Sequence, residues 1–395
     1  MKRILILAGS AFQVPLIERA KRDGHYVITC DYLPENPGHK ISDEYHNVST
    51  TDKEGVLRLA RERQIDAVTT ISSDPAVPTV AHVADALGLP GPTIDSVAFL
   101  TQKDLFRALL HSTGLNVPKS YVVTSDTVPG ELRQSEASYV VKPVDSSGSK
   151  GITFCAAGGV DMRAAIRLAL EYSRSGRCII EQYIDGPQLH GDGYVENGEL
   201  IYSYLGDHVF YTRTNNFIPV STRWPSSASP RVLEEIKRQV SSIVKAAGYN
   251  RGPVNIEARV ARDERVFIIE VGPRNGGNFV PIIQHTLTGF DFLDRILADS
   301  LALPLSNAKA NGQYRVGAHY ILHGDRTGRF VGVSISEEAQ GHVFFESIFK
   351  QHGNGVERFT GSNTTVGVLL LQFDSVRQRN ALMAEAESHF RLILG

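Results

Sequence analysis

The chain has 395 residues, which is enough for two or three domains with substantial cores. Its 41 basic and 43 acidic residues nearly balance, which argues against a polyanion-binding surface and against nucleic acid as a partner. No apolar stretch approaches the roughly 20 residues that span a bilayer. The three cysteines, Cys30, Cys155 and Cys178, are scattered without metal-binding spacing, which predicts a reduced, cytoplasmic setting.

Strand and helix patterns alternate from residue 1 to about 95. Buried strands are predicted at 4–7, 27–30 and 67–71, and helices at 12–22 and 53–62. This order predicts an N-terminal parallel α/β domain.

A dinucleotide site is the first alternative for this region, because Gly9 follows the first strand. The run Ala8-Gly9-Ser10-Ala11-Phe12-Gln13 lacks the G-x-G-x-x-G spacing, however, which counts against a nicotinamide cofactor. The loop Ser72-Ser73-Asp74 would still face a crevice that a substrate could use.

A second region follows the break at Pro90-Gly91-Pro92. Thr101 is predicted to cap a helix that runs through Leu110, with Lys103 in its first turn, where a lysine opposes the helix dipole. Further elements are predicted in chain order: strands at 139–142, 178–182, 193–195 and 200–205, and helices at 162–173 and 230–248. The last region, 306–395, is rich in short strands such as 317–322 and 365–371 and is predicted to close with a helix at 375–392.

The stretch from Val254 to Gly272 predicts a β-hairpin with its turn at Asp263 and Glu264. With a two-residue loop, Glu257 lies opposite Glu270, and Arg259 lies opposite Ile268. The other face collects only apolar side chains: Ile256, Ala258, Val260, Phe267, Ile269 and Val271.

The two facing glutamates suggest a metal site. Cross-strand Cβ atoms lie about 4.5–5.5 Å apart, so the two carboxylates repel unless a cation such as Mg²⁺ neutralises them. The alternative is two solvated surface acids bridged by Arg259.

Three other features predict a bound nucleotide. Lys142 ends the strand Val140-Val141-Lys142-Pro143 at an inward position, which a lysine would not occupy without an anionic partner. The loop 145–151 is rich in glycine and serine, whose backbone N–H groups and hydroxyls suit phosphate oxygens, although a surface turn has the same composition. The strand 179–182 runs into an extended segment that could offer adenine a backbone edge.

The ordered set of lysine, lysine-proline strand, glycine loop, acidic hinge and paired glutamates resembles the ATP-grasp superfamily over residues 1 to about 305. The resemblance implies an α/β protein with an α+β core. Its expected parts are an N-terminal domain at 1–95, a two-subdomain ATP-grasp domain at 96–305 with a mobile lid at about 118–195, and a C-terminal α+β domain at 306–395. It also implies an ATP-dependent carbon-nitrogen ligase that activates a carboxylate as an acylphosphate.

The resemblance further implies roles for individual residues. Lys103 and Lys142 would contact the α and β phosphates, and the loop at Ser147, Gly148 and Ser149 would close over the β and γ phosphates. The adenine hinge would be formed by Glu181 and the backbone of Tyr183 and Ile184. Glu257 and Glu270 would bind Mg²⁺, or Mn²⁺ in its place, and Arg274 would lie beside the transferring phosphate, although a polar loop is the alternative for the arginine.

Two positions depart from the family pattern. Gln188 stands where many members have a ribose-binding glutamate, and glutamine can still bind hydroxyls. Gly272 replaces the usual asparagine after the second metal ligand, so Asn275 or water would complete the metal shell.

Within the family, the chain is most similar to bacterial L-amino acid ligases, which implies small carboxylate and amine substrates; a homodimer is a further assembly to test. The alternatives are a purine-pathway-like carboxylating or formylating enzyme and a degenerate ATP-binding regulator. Four residues are candidates for contact with an anionic substrate: His208, Arg213, Arg223 and Arg259. His319 and His323 are expected to be structural.

Overall fold

The computed structural model describes residues 1–132, 135–157, 161–211, 218–304 and 314–395. Its N-terminal region contains a parallel four-stranded sheet in the order β3-β2-β1-β4. The strands are β1 (Arg3–Leu7), β2 (Tyr26–Cys30), β3 (Glu44–His46) and β4 (Ala67–Thr69). The flanking helices are α1 (Val14–Arg22), α2 (Pro37–Ile41), α3 (Lys53–Glu62) and α4 (Val77–Leu87). The predicted parallel α/β arrangement is confirmed. The predicted strands β1, β2 and β4 are almost entirely buried, as their continuous apolar runs require, whereas β3 at the edge is half-buried.

Two short helices connect this region to the next one: α5 (Ile94–Thr101) and α6 (Lys103–Ser112). The prediction that Thr101 caps the second helix is wrong. The Thr101 hydroxyl instead donates to the carbonyl of Val97 within α5, at 2.7 Å. The chain turns at Gln102, so that Lys103 is the first residue of α6.

A small antiparallel sheet follows, in the order β5-β8-β6-β7. Its strands are β5 (Ser120–Val123), β6 (Tyr139–Pro143), β7 (Thr153–Cys155) and β8 (Cys178–Gln182). Helix α7 (Met162–Tyr172) buries Ile166 and Ala169 against this sheet. The sheet forms most of the expected lid.

The centre of the molecule is an eight-stranded antiparallel sheet in the order β13-β12-β9-β10-β11-β14-β18-β16. Its strands are β9 (Gln188–Glu196), β10 (Glu199–Phe210), β11 (Pro219–Trp224), β12 (Arg251–Val260), β13 (Val266–Gly272), β14 (Val316–His323), β16 (Val343–Ile348) and β18 (Thr365–Phe373). The helices beside it are α8 (Pro230–Ala246), α9 (Val280–Thr288) and α10 (Phe292–Ser300). None of the described helices combines the length and the apolar character that crossing a membrane requires.

This central sheet joins parts of the chain that the sequence analysis treated separately. Strand β9, which the expected lid included, pairs with β10 and β12 in the large sheet. Strands β14, β16 and β18 from the last region extend the same sheet. The expected boundary near residue 305 lies outside the described residues, and the division into domains stays a prediction.

The C-terminal region also contains a small sheet, in the order β17-β15-β19. Its strands are β15 (Gly328–Ile335), β17 (Gly355–Val356) and β19 (Phe390–Leu394), and the nearby helices are α11 (Glu337–Gln340), α12 (Val376–Ala384) and α13 (Ala386–His389). The predicted closing helix at 375–392 is therefore wrong beyond residue 389. The last residues pair with β15 and pack Phe390 into the C-terminal core, so the tertiary contact overrides the helical pattern.

Candidate active site

A cavity of about 390 Å³ lies between the small and large sheets. It is lined by side chains from both sheets, by the glycine-rich loop, and by N-terminal residues such as Phe12 and Asp74. The residues predicted to bind ATP and the two metal-binding glutamates, together with Arg274, all line this cavity: Lys103, Lys142, Ser147, Gly148, Ser149, Glu181, Tyr183, Ile184, Gln188, Glu257, Glu270 and Arg274. Their individual roles stay predictions.

Strands β12 and β13 place Glu257 directly opposite Glu270, as predicted. The predicted loop and the predicted partner of Arg259 are wrong. The loop has three residues between the paired Ala261 and Arg265, with Glu264 at a left-handed φ of 61°. Arg259 consequently pairs with Phe267 rather than Ile268.

A β-bulge at Ile269 restores the facing glutamates. The register shifts between Glu257 and Ala258, so that one extra residue of β13 lies between Ile268 and Glu270. The bulge turns the Ile269 side chain into the cavity and leaves Ile268 in the core, the reverse of the predicted faces. The extra loop residue shifts the strand pairing by one position, and the bulged residue shifts it back, so that Glu257 still faces Glu270.

The electrostatics of the acidic pair favour a bound cation. Burial and the neighbouring Glu270 carboxylate raise the pKa of Glu257 to about 7, against the opposing charges of Arg274 and Lys142. Two carboxylates fit a hard divalent ion that takes its other ligands from phosphate and water. Within the described ranges, no group of three or more His, Cys, Asp and Glu side chains could hold a metal by itself.

Lys142 and Glu181 form a buried ion pair at 2.5 Å on neighbouring strands of the small sheet. Arg107, which the sequence analysis missed, binds the same carboxylate from α6 through bonds of 2.6 and 3.2 Å. Burial alone would raise the pKa of Glu181, but the charges of Arg107 and Lys142 lower it to about 2. The sequence did contain a signal for Arg107: it lies one helical turn after Lys103 and therefore on the same face of α6.

The glycine-rich loop and Lys103 also line the cavity. Lys103 Nζ donates to the carbonyl of Ser146 at 2.9 Å. Gly148, Ser149 and Gly151 have φ values of 66°, 59° and 70°, a backbone arrangement that favours exposed N–H groups for anion binding. The hydroxyl of Ser362 in the C-terminal region donates to the carbonyl of Gly148 at 3.1 Å. The loop therefore contacts the C-terminal region next to the cavity.

Arg274 is held by Asp74 from the N-terminal region. Two hydrogen bonds of 2.5 and 2.8 Å join the side chains, and Arg274 lies 3.8 Å from the Glu270 carboxylate. Burial opposes the charge of Arg274, but the Asp74 and Glu270 carboxylates outweigh it and raise its pKa. The loop of Asp74 was predicted to face the crevice, but its contact with Arg274 was not predicted.

The side chain of Gln188 is engaged by protein groups. It donates to Glu257 and accepts from Arg259 Nε, each at 2.9 Å. A ribose hydroxyl would have to compete with both partners.

Asn275 follows Arg274 in the same loop, is fully buried and does not line the cavity. Its amide nitrogen donates to the buried Asp192, which also accepts from Asn255 and from the backbone of Gly276. Burial raises the pKa of Asp192 to about 6, although these bonds lower it. Asp192, also missed from the sequence, thus anchors the loop that carries Arg274.

The candidates for contact with an anionic substrate separate in the structure. His208 and Arg259 line the cavity, whereas Arg223 donates to the carbonyl of Met383 in the C-terminal region. Arg213 lies outside the described residues. His208 stacks on His190 with ring centroids 4.5 Å apart, and burial lowers the pKa of His208 to about 3. At neutral pH His208 is therefore an uncharged hydrogen-bonding group.

The comparisons with known proteins agree with this geometry. The model of the ATP-grasp domain family matches residues 135–281. A formate-dependent phosphoribosylglycinamide formyltransferase from Rhodococcus jostii (strain RHA1) is 25% identical over 343 residues, covering 82% of this chain and 81% of its own. A D-alanine–D-alanine ligase from Chelativorans sp. (strain BNC1) is 26% identical over 209 residues, covering 50% of this chain and 66% of its own.

The structural comparison extends the likeness to the whole chain. The crystal structure of an L-amino acid ligase from Bacillus licheniformis has a TM-score of 0.83 and 22% identity, and the match covers 100% of this chain and 99% of that one. The fold is therefore shared from end to end. Residues 135–281 therefore match the ATP-grasp domain family, and the whole chain has the same fold as the L-amino acid ligase from Bacillus licheniformis.

Proposed function

We propose that this enzyme uses ATP to convert a small carboxylate into an acylphosphate and transfers the acyl group to an amine. The products would be an amide, ADP and inorganic phosphate. The observation that carries the proposal is the placement of Glu257 and Glu270 in one cavity with Lys103, Lys142 and Arg274. Phosphoryl transfer needs positioned charge more than a covalent catalyst, and these side chains supply it.

The nucleotide would lie between the two sheets. Lys103 and Lys142 would donate to phosphate oxygens, and the loop at Ser147–Ser149 would add backbone donors. The backbone of Tyr183 and Ile184 would bind the adenine edge. This assignment rests on the shared cavity, which all of these residues line.

Glu257 and Glu270 would hold a divalent cation, for which we propose Mg²⁺, with Mn²⁺ as a substitute. Their facing carboxylates and the raised pKa of Glu257 support this assignment. The bound ion would supply neutralisation of the phosphate charge.

The protein residues then account for the two chemical steps. A carboxylate oxygen of the substrate attacks the γ-phosphorus and ADP leaves. The amine attacks the acyl carbon, its surplus proton is lost to solvent, and phosphate leaves. Arg274 would donate to the oxygens that gain charge in both steps. Asp74 holds the guanidinium and thereby limits its movement between them.

A second candidate is a formyl transfer that starts from formate. The Rhodococcus relative, whose name specifies formate and phosphoribosylglycinamide, matches 82% of this chain. Both candidates share formation of an acylphosphate and release of ADP, so only the substrates distinguish them.

An ADP-release screen tests the proposal. Amino acids and small carboxylates would be supplied singly and in pairs, and formate with phosphoribosylglycinamide would form a separate arm. We expect turnover with a carboxylate and an amine together. Turnover confined to the formate arm would select the second candidate, and intact ATP binding without any turnover would favour a regulator.

Isotope transfer tests the intermediate. With a carboxylate labelled with ¹⁸O, one label should move into inorganic phosphate. Release of AMP that carries the label would show adenylation and overturn the acylphosphate route.

We further propose a reducing, cytoplasmic setting, because all three cysteines are buried and free. We also propose a homodimer, which light scattering coupled to gel filtration would test.

A further inference from the structure

Arg107 connects two parts of the cavity that carry opposite charges. It lies in α6, one turn after Lys103, and is 4% exposed. Its guanidinium holds the Glu181 carboxylate by two bonds. Nη2 also donates to the carbonyl of Ile269 at 3.0 Å. Ile269 is the bulged residue next to Glu270, so one side chain contacts both the small sheet and the acidic hairpin.

The charge count of this cluster explains why an arginine is needed there. Glu181 is shared by Arg107 and Lys142, and all three side chains are buried. The three charges sum to one positive charge. Without Arg107, the Glu181 carboxylate would cancel the charge of Lys142, and the lysine would attract a phosphate group less strongly. Glu181 is therefore compatible with anion binding only while Arg107 offsets it.

The contact with Ile269 adds a geometric role. The bulge at Ile269 sets the register in which Glu270 faces Glu257. Because Arg107 binds the bulged carbonyl, it ties the position of that bulge to the strand that carries Glu181. Its remaining nitrogen, Nη1, has no hydrogen-bond partner among the described residues. The guanidinium is therefore held by the Glu181 carboxylate and the Ile269 carbonyl.

We propose that Arg107 is a positioning residue for the ATP-dependent reaction, which keeps Lys142 available to phosphate and fixes the strand that carries Glu270. The inference rests on the proposed function, because it assigns the cavity to a nucleotide and a cation. It predicts that Arg107 affects binding through the charge of Glu181 and not only through packing.

The experiment measures the affinity for ADP and for a non-hydrolysable ATP analogue by calorimetry, with thermal melting of each variant. Arg107→Met should weaken nucleotide binding by about tenfold or more, because a buried carboxylate loses one of its two cations. Adding Glu181→Gln to Arg107→Met should restore much of that loss, because neutralising the carboxylate frees Lys142 again. Arg107→Lys, which keeps the charge without the fork, should lie between wild type and Arg107→Met and serves if Arg107→Met does not fold.

The matched control is Arg177→Met. Arg177 also joins the lid region to α6, through Asp104 and Gln102, but does not contact Glu181. It should leave nucleotide affinity near the wild-type value even if the melting temperature falls.

The measured affinities distinguish a charge role of Arg107 from a packing role. Wild-type affinity in folded Arg107→Met, or in Arg107→Lys when only that variant folds, would overturn the inference. A double variant that binds nucleotide no better than Arg107→Met would show a packing role alone. Absence of nucleotide binding by the wild-type protein would instead refute the proposed function.

Discussion

Asp74 and Arg274 are 200 residues apart in the chain, and two hydrogen bonds of 2.5 and 2.8 Å join their side chains across the cavity wall. The pair connects the N-terminal α/β region to the loop after the acidic hairpin. Asp74 thereby competes with Glu270, 3.8 Å from Arg274, for the same guanidinium. The orientation of Arg274 depends on which carboxylate holds it.

Asp74→Asn is expected to lower kcat/KM by about 10- to 100-fold, because a charged hydrogen-bond partner of a buried arginine is lost. Arg274 would turn toward Glu270 and oppose cation binding, so the Mg²⁺ concentration for half-maximal turnover should rise. Steady-state rates over a Mg²⁺ series measure both effects. Asp95→Asn makes the same change at an exposed position of α5 and should have no effect. Unchanged Mg²⁺ dependence in Asp74→Asn would contradict this role.

Glu270→Gln is expected to reduce Mg²⁺-dependent turnover by about 100-fold or more, because it removes one charge of the acidic pair while keeping its shape. The melting temperature should stay the same or rise slightly, since repulsion from Glu257 is lost. Glu264→Gln, at the exposed turn of the same hairpin, is the control. Near-normal turnover of Glu270→Gln at low Mg²⁺ would refute the metal assignment.

The stability difference between Glu270→Gln and wild type should depend on pH. In the folded wild-type protein, burial and Glu270 raise the pKa of Glu257 to about 7 from an ordinary 4.5. Between these values the folded state binds more protons than the unfolded state, so this contribution to stability is lost as pH rises toward 7.

The measurement is the melting temperature of both proteins without metal from pH 5 to pH 8. The gain of Glu270→Gln over wild type should increase with pH, because Glu257 is protonated at pH 5 and charged at pH 8. Contributions from the buried histidines cancel in the difference. A gain that is constant or that shrinks with pH would contradict strong coupling of the two glutamates.

Trypsin cleavage after Lys150 should be suppressed by Mg²⁺ with a non-hydrolysable ATP analogue. Lys150 is exposed in the glycine-rich loop, which we expect to close over the phosphates and to exclude water from the acylphosphate. Mass spectrometry of timed digests would follow each cut. Arg326, exposed in the turn after β14, provides an internal control whose cleavage should not change. Equal protection at both sites, or at neither, would count against loop closure.

Several features of the site follow from the sequence itself. Side chains alternate along a strand, and this alternation predicted that Glu257 faces Glu270. The pairing is present in the structure because the bulge at Ile269 offsets the extra residue of the loop. The inward lysine at the end of β6 and the loop of small residues after it could be recognised from the local sequence alone. These patterns were sufficient for Lys142, the loop at Ser147–Ser149 and the acidic pair, all of which line the cavity.

Other features depend on contacts between distant segments. The bulge at Ile269 leaves no local pattern, because its carbonyl is satisfied by Arg107, 162 residues earlier. Gln188 was expected at the ribose, but strand pairing brings it against Glu257 and Arg259. A side chain with several possible partners is directed by whichever group the fold brings within hydrogen-bond reach.

The end of the chain also shows the difference between what local sequence predicts and what tertiary contacts decide. Its apolar spacing was compatible with a helix, and the strand at Phe390–Leu394 forms because β15 presents a free edge for pairing. The sequence by itself determined the apolar periods, the presence of the acidic hairpin and the order of charged groups. The tertiary structure decided the bulge, the partners of Glu181 and Arg274, and the final strand, because each depends on a hydrogen-bond partner that local sequence does not specify.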